Sequence, residues 1–416
     1  MLSVPEAQQA ILSRIKRLEP ETVDLLAALG RVLAADVISD VDLPPFDNSS
    51  MDGYALRADD IHDAAGEHPV RLPIVADIPA GHPIEMTLPS GTAARITTGA
   101  MLPNGADTIV PVEDTDDGAR GASPLRESVG ILRAFERGAF VRYAGDDVKR
   151  GERVLQAGAI IRPAEIALMA AVGHNRVPVY RRPRVALLAT GDELVDPDQL
   201  PGIGQIRNVN EHATAALVAQ YGGEPLRLGI ARDRLDEVAA RLETAIGQGA
   251  DLIVASAGVS VGAYDLVKDA VAAHGAIDLW RVRMRPGKPI AFGHYRGVPF
   301  FGLPGNPVSA MLTFEQFVRP VLRVMAGFTQ WRKPTIDVIL REAIDSDGRE
   351  TYARAWVEQE GDRWFARLSG GQGSNMLSSL VHANALVVVP DGVTHLPAGS
   401  LAAAQMLNWP DDVNWP

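Results

Sequence analysis

The chain of 416 residues carries a formal net charge of −12, is 46% apolar and 22% charged, and contains no cysteine. That length allows about three domains with sizeable cores, and the composition is that of a soluble globular protein. The acidic balance excludes a general nucleic-acid binder, which needs a basic face, and the absence of thiols excludes disulfides, thiolate metal sites and a cysteine nucleophile.

The N-terminal MLSVPEAQQAILSRIKRLEP alternates apolar and charged residues as an amphipathic helix does, without the unbroken apolar stretch of a signal peptide. No run is long enough to span a bilayer, so a cytoplasmic protein without membrane contact is expected. Residues 5–36 read as two helices with a turn near Glu19 and Pro20. PPFDNSSMDGYA (44–55) then combines prolines, side-chain oxygens and a carboxylate on the sharp turn Asp52-Gly53, residue types that packing alone rarely requires. The alternative is an ordered loop that fixes a domain boundary. From 44 to about 140, short β-prone pieces (RLPIVADI, ARITTG, DTIVPVE, GILRAF) broken by Gly, Pro and Asp predict an all-β insertion, with a solvated hairpin loop from Asp116 to Val129. The next segment is mixed, with Pro163 opening a helix and Gly173 closing it.

From 181 the alternation is clearer. VALLAT (185–190), a helix around 211–221, LRLGIA (226–231), a helix at 234–247, DLIVAS (251–256), a helix from about 264, VPFFGL (298–303) and a helix from Pro307 predict a doubly wound, largely parallel α/β sheet. After about 330 the helices are expected to stop, and YARAWVEQ and WFARL around the turn-like EGDR predict a small closing β-domain. The expected organisation is a discontinuous N-terminal mixed domain (1–43 and 141–180), an all-β insertion (44–140), the α/β domain (181–329) and a C-terminal β-barrel-like domain (330–416).

Ligands of doubly wound sheets sit outside the carboxyl ends of the strands. Three segments following such ends are chemically loaded: Gly191-Asp192-Glu193, SAGVSVGAYD (256–265) and LPGNPVSA. In the second, small residues such as Gly262 let a ligand approach the main chain, beside Ser260 and helix amides suited to an anion. Glu193, Asp233 and Asp265 all follow strands of this domain and have the hard oxygens that suit Mg2+. Each carboxylate alternatively caps a helix or meets solvent, Asp233 being the least constrained. Asn306 at an N-cap, Pro307 at the first helical position and Ser309 offer another anion cradle, or simply a well-capped helix. Trp280 to Arg285, read as a strand, puts three arginines on one face before the turn Pro286-Gly287-Lys288-Pro289. That face is either aimed at an anion or an outer strand surface.

PPFDNSSMDGYA, TTGAMLPNGADTIVPVED, GDDVKRGE, ATGDEL, SAGVSVGAYD, MRPGKP and FGLPGNPVSA stand in the order that resembles the molybdopterin molybdenumtransferases, the family of the gephyrin E-domain. The resemblance covers nearly the whole chain. It implies a four-domain homodimer whose α/β domain binds adenylated molybdopterin, with the cleft completed by the partner's β-insertion. The implied reaction inserts molybdate into the pterin dithiolene and releases AMP. Carried over by position, the functional carboxylates fall on Asp52, Glu193, Asp233 and Asp265, and a threonine falls on Thr98. Two family lysines fall on Arg281 and Arg285, a departure that keeps charge but changes geometry, whereas Lys288 and Ser309 match. Arg354 and Ser374 match residues near the molybdate. Other molybdenum cofactor biosynthesis proteins are implied partners. A molybdopterin adenylyltransferase and a non-catalytic dimeric scaffold are the alternative readings.

Overall fold

The computed structural model describes residues 1–83, 85–118, 125–256 and 261–409, and for residues 261–265 and Leu279 it describes the backbone alone. The chain divides into two compact units, one of Val23–Leu29 and Ala35–Val177 and one of the remaining residues.

The smaller unit is built on a five-stranded sheet in the order Thr108–Pro111, Gly53–Leu56, Ala93–Ile96, Val70–Ile78, Ser128–Ile131. Side chains alternate across a strand, so Tyr54 and Leu56 enter one apolar cluster while Ala55 enters the other. Burial on both faces explains why all of GYAL is enclosed. The predicted helix is Pro163–Ala171, and Gly173 leaves it with φ +90°. The expected solvated loop at 116–129 has a buried root. Asp117 is 6% exposed and accepts a hydrogen bond from the Tyr54 hydroxyl at 2.8 Å. Residues 119–124 of that loop lie outside the described residues.

In the larger unit a six-stranded sheet runs in the order Glu224–Ala231, Arg184–Thr190, Leu252–Ser256, Val298–Leu303, Pro289–Tyr295, Gly275–Arg281. The first four strands are parallel, Pro289–Tyr295 runs antiparallel to them, and Gly275–Arg281 pairs antiparallel with Pro289–Tyr295. The strand Arg184–Thr190 sends Val185 and Leu187 into one core with Leu217, Val218 and Phe301, and Ala186 and Leu188 into another with Val238, Leu242 and Val271. Each such leucine or valine contributes about 1.5–3 kcal/mol of burial. This is the doubly wound arrangement expected from the continuous apolar runs, with helices Asn210–Gln220, Leu235–Gly247 and Val261–Ala272 following the predicted strands.

The C-terminal strands Glu350–Glu360, Arg363–Leu368, Thr335–Leu340, Leu401–Met406 and Ala385–Val389 pair in sequence, and the last pairs back to the first, closing a five-stranded barrel. A short helix, Ser378–Val381, interrupts the all-β expectation. Two further expectations are corrected. Only Val4–Leu12 is α-helical in the first 36 residues, because Pro20, Thr22 and Val23 favour the strand Pro20–Asp24 and Leu25–Ala28 closes only a 3-10 turn. Residues 280–285 are not one strand either: one strand ends at Arg281 and another occupies only Met284–Arg285, pairing with Glu350–Thr351 of the barrel.

Candidate active site

Register puts the loaded segments of the larger unit on one sheet edge. Thr190 pairs with Ala231, Ala189 with Ser256 and Ser256 with Leu303, so the acidic loops and the PGNP turn leave the same ends of neighbouring parallel strands. Arg281 pairs with Pro289 of the antiparallel strands, which brings Arg281 and Lys288 to that edge as well.

Glu193 is exposed and its carboxylate folds back over Gly191, where a Cβ would come within 2.4 Å of Oε2. Only glycine, here at φ +148°, allows that approach. The Asp233 amide donates to Asp192 Oδ1 at 3.2 Å, and Arg232 Nη1 donates to the carbonyls of Asp192 and Leu194 at 3.0 and 3.1 Å. The two acidic loops are thereby locked together while the carboxylates of Glu193 and Asp233 accept no hydrogen bond among the described residues. Other acids of the domain are committed to structure: Asp251 is held by Arg181 at 2.5 Å, and the buried Glu211 by Asn208 at 2.8 Å. Sequence reasoning missed Asp192 and Arg232 as organisers; the acidic pair in GDE and the Arg-Asp step in IARD were the available signals.

Ser260 lies outside the described residues, and at Gly262 and Asp265 only the backbone of helix Val261–Ala272 is described. Among the described residues no group of three His, Cys, Asp or Glu is placed to hold a metal. Glu193 and Asp233 carry the hard oxygens that suit such a cation, and neither carboxylate has a hydrogen-bond partner among the described residues.

The basic run divides by role. Val282 and Met284 are buried, and Arg283 is tied to Asp391 at 2.8 Å. Arg281, Arg285 and Lys288 have no ion-pair partner among the described residues, Arg281 and Lys288 being exposed and Arg285 half-buried. Asn306 takes the N-cap position of helix Pro307–Thr313, but its side chain does not cap; its Nδ2 donates to Ser374 Oγ at 3.1 Å. Two predicted residues from the α/β domain and the barrel region thus meet. Ser309 is only 5% exposed, so it offers little surface to a ligand. Arg354 is 1% exposed and donates to the carbonyls of Gly371 and Gly373 at 2.9 and 3.1 Å and to Ser379 Oγ at 2.9 Å. Burial, with Arg285 nearby, lowers its pKa to about 10. In that position it holds the GGQGSN loop that carries Ser374.

In the smaller unit Asp52 and Thr98, 46 residues apart, are in contact. Asp52 Oδ1 accepts from the Thr98 amide at 2.7 Å and from its hydroxyl at 3.0 Å, and both residues are exposed. The NSS run supplies the local turn: Ser49 Oγ donates to the Met51 carbonyl at 2.5 Å, and the Gly99 amide donates to the Ser49 carbonyl at 2.8 Å.

Comparison with known proteins agrees along the whole chain. Residues 2–173 match the MoeA N-terminal region (domain I and II), 186–324 a probable molybdopterin binding domain and 337–407 the MoeA C-terminal region (domain IV). A molybdopterin molybdenumtransferase of Nostoc sp. is 41% identical, with 96% of this chain and 92% of that protein covered. Molybdopterin molybdenumtransferase 2 of Mycobacterium tuberculosis is 39% identical over 96% and 98%. A crystal structure of a molybdopterin biosynthesis MoeA protein from Pyrococcus horikoshii superposes with a TM-score of 0.80 at 31% identity, covering 98% of this chain and all of that one. Motif order, a doubly wound sheet joined to a closed barrel, and full-length similarity place this chain in the molybdopterin molybdenumtransferase family.

Proposed function

We propose that the chain is a transferase of molybdenum cofactor biosynthesis, inserting molybdate into adenylated molybdopterin with release of AMP. The carrying observation is the sheet edge of the larger unit, where uncommitted carboxylates and uncommitted cations leave the ends of neighbouring strands. Arg281, Arg285 and Lys288 would hold anionic groups of the nucleotide or molybdate, and Asn306 with Ser374 would orient the ligand by hydrogen bonds. Glu193, Asp233 and Asp265 would hold Mg2+, which when bound supplies positive charge against the phosphoanhydride. Molybdate is substrate, and the pterin sulfurs are its nucleophiles, so no protein nucleophile is needed. The protein's contribution is then positioning and electrostatic stabilisation.

The finer organisation belongs to the same proposal: a homodimer of four-domain chains, bounded as the sequence suggests, in which Asp52 and Thr98 of one subunit complete the partner's cleft. The exposed Asp52–Thr98 pair supports a role beyond packing. Replacing Glu193 by Gln keeps size but removes an anionic ligand, so AMP release should fall by orders of magnitude at saturating Mg2+ while thermal stability holds. Unchanged AMP release would remove Glu193 from the reaction.

A further inference from the structure

A cavity of about 240 Å3 lies in the larger unit, lined by helix Val4–Leu12, the helical run Phe314–Val318 with Arg319 and Pro320, the segment 331–335 and barrel residues Glu350, Tyr352 and Gln405. None of the residues assigned above to pterin, metal or molybdate lines it. Its wall includes a π-helical turn, Phe314–Val318, inside an otherwise α-helical run. Such turns are uncommon and concentrate at functional sites.

The charges around it do not balance. Glu315 is committed: Lys333 Nζ donates to it at 2.8 Å and the Tyr221 hydroxyl at 2.5 Å. Glu350 accepts from the Tyr352 hydroxyl, and burial raises its pKa. Gln8 and Gln316 donate to the Gln316 carbonyl and to Gln405 at 2.8 and 2.9 Å. Arg319, only 5% exposed, donates from Nη1 to the Trp331 carbonyl at 2.8 Å, yet its buried Nε has no hydrogen-bond partner. No carboxylate pairs with Arg319 or with the exposed Arg332 among the described residues. Burial and the Arg319 charge also lower the pKa of Arg323 to about 10. A buried guanidinium donor without an acceptor is costly, and native interiors rarely leave one so.

We propose that this cavity binds a small tetrahedral oxyanion, held from within by Arg319 and at the mouth by Arg332. The volume is below the roughly 300–1,000 Å3 of sites for drug-sized ligands, which suits such an anion with a few waters. Phosphate, sulfate and molybdate share the required chemistry, and separate calorimetric titrations of the full chain with each would rank them. Crystals soaked in tungstate, a strongly scattering tetrahedral anion, should show density beside Arg319 as well as any at the basic sheet edge. Arg319→Gln should lose the cavity density. Thr335→Glu, on an exposed position lining the cavity, places a carboxylate at the site without altering the core and should weaken this binding at least tenfold while leaving density at the sheet edge. Soaks with no tungstate beside Arg319, or equal affinity of the wild type and Thr335→Glu for all three anions, would overturn the assignment.

Discussion

At the scale of single residues, a charged group is informative when the fold has not already paired it. Arg283 and Asp251 are bound in ion pairs, whereas Arg281, Arg285, Glu193 and Asp233 have no such partner among the described residues. Arg285→Ala should weaken binding of adenylated molybdopterin by about 1–3 kcal/mol, the scale of hydrogen bonds to a charged group. Arg285→Lys should restore most of that affinity, because it keeps the charge. Calorimetry on the three proteins checks this, and equal affinities would return Arg285 to a surface role. Asp52, Thr98, Asn306 and Ser374 were each singled out from the motifs, but that Asp52 meets Thr98 and Asn306 meets Ser374 depends on long-range packing that no motif announces. Nothing in YARAW announces that the Arg354 guanidinium turns inward, to two carbonyls of the GGQGSN loop and to Ser379 of the short helix that follows it.

At the scale of elements, short connections decide how the basic edge is held. Asp347 receives Arg349 Nε at 3.0 Å, and Arg349 Nη1 reaches the Met284 carbonyl at 3.0 Å, tying the Met284–Arg285 strand to the barrel. Hydrogen bonding from Arg349 lowers the Asp347 pKa from its ordinary 3.8 to about 2. A carboxyl depressed in the folded state stabilises the fold above its unfolded pKa, and that contribution is lost as pH falls from about 3.8 towards 2. Urea unfolding of Asp347→Asn should therefore show a shallower acid decline in that window, modest because the side chain is 43% exposed. Parallel curves for both proteins would contradict the clamp. The parallel strands were readable because strands buried on both faces show as continuous apolar runs. The antiparallel pair Gly275–Arg281 and Pro289–Tyr295 was not, since strand direction depends on long-range pairing. The misread second helix has a similar cause: LLAALG has helical propensity, but one 3-10 turn is all the chain forms there.

At the scale of the whole molecule, Asp52 and Thr98 stand in one compact unit and the acidic and basic loops in the other. If the partner's insertion completes each cleft, inactive Asp52→Ala and Glu193→Ala subunits should recover part of the activity when allowed to exchange, because some heterodimers carry one intact site. No recovery after demonstrated exchange would place both groups within one chain. The most direct test of the account is a single-turnover reaction of the purified protein with adenylated molybdopterin, Mg2+ and molybdate, counting AMP and pterin-bound molybdenum together. The account predicts one AMP released for each molybdenum inserted, with neither product formed when molybdate is left out. Adenylated molybdopterin that survives intact beside molybdate, or AMP released at the same rate without it, would contradict the account.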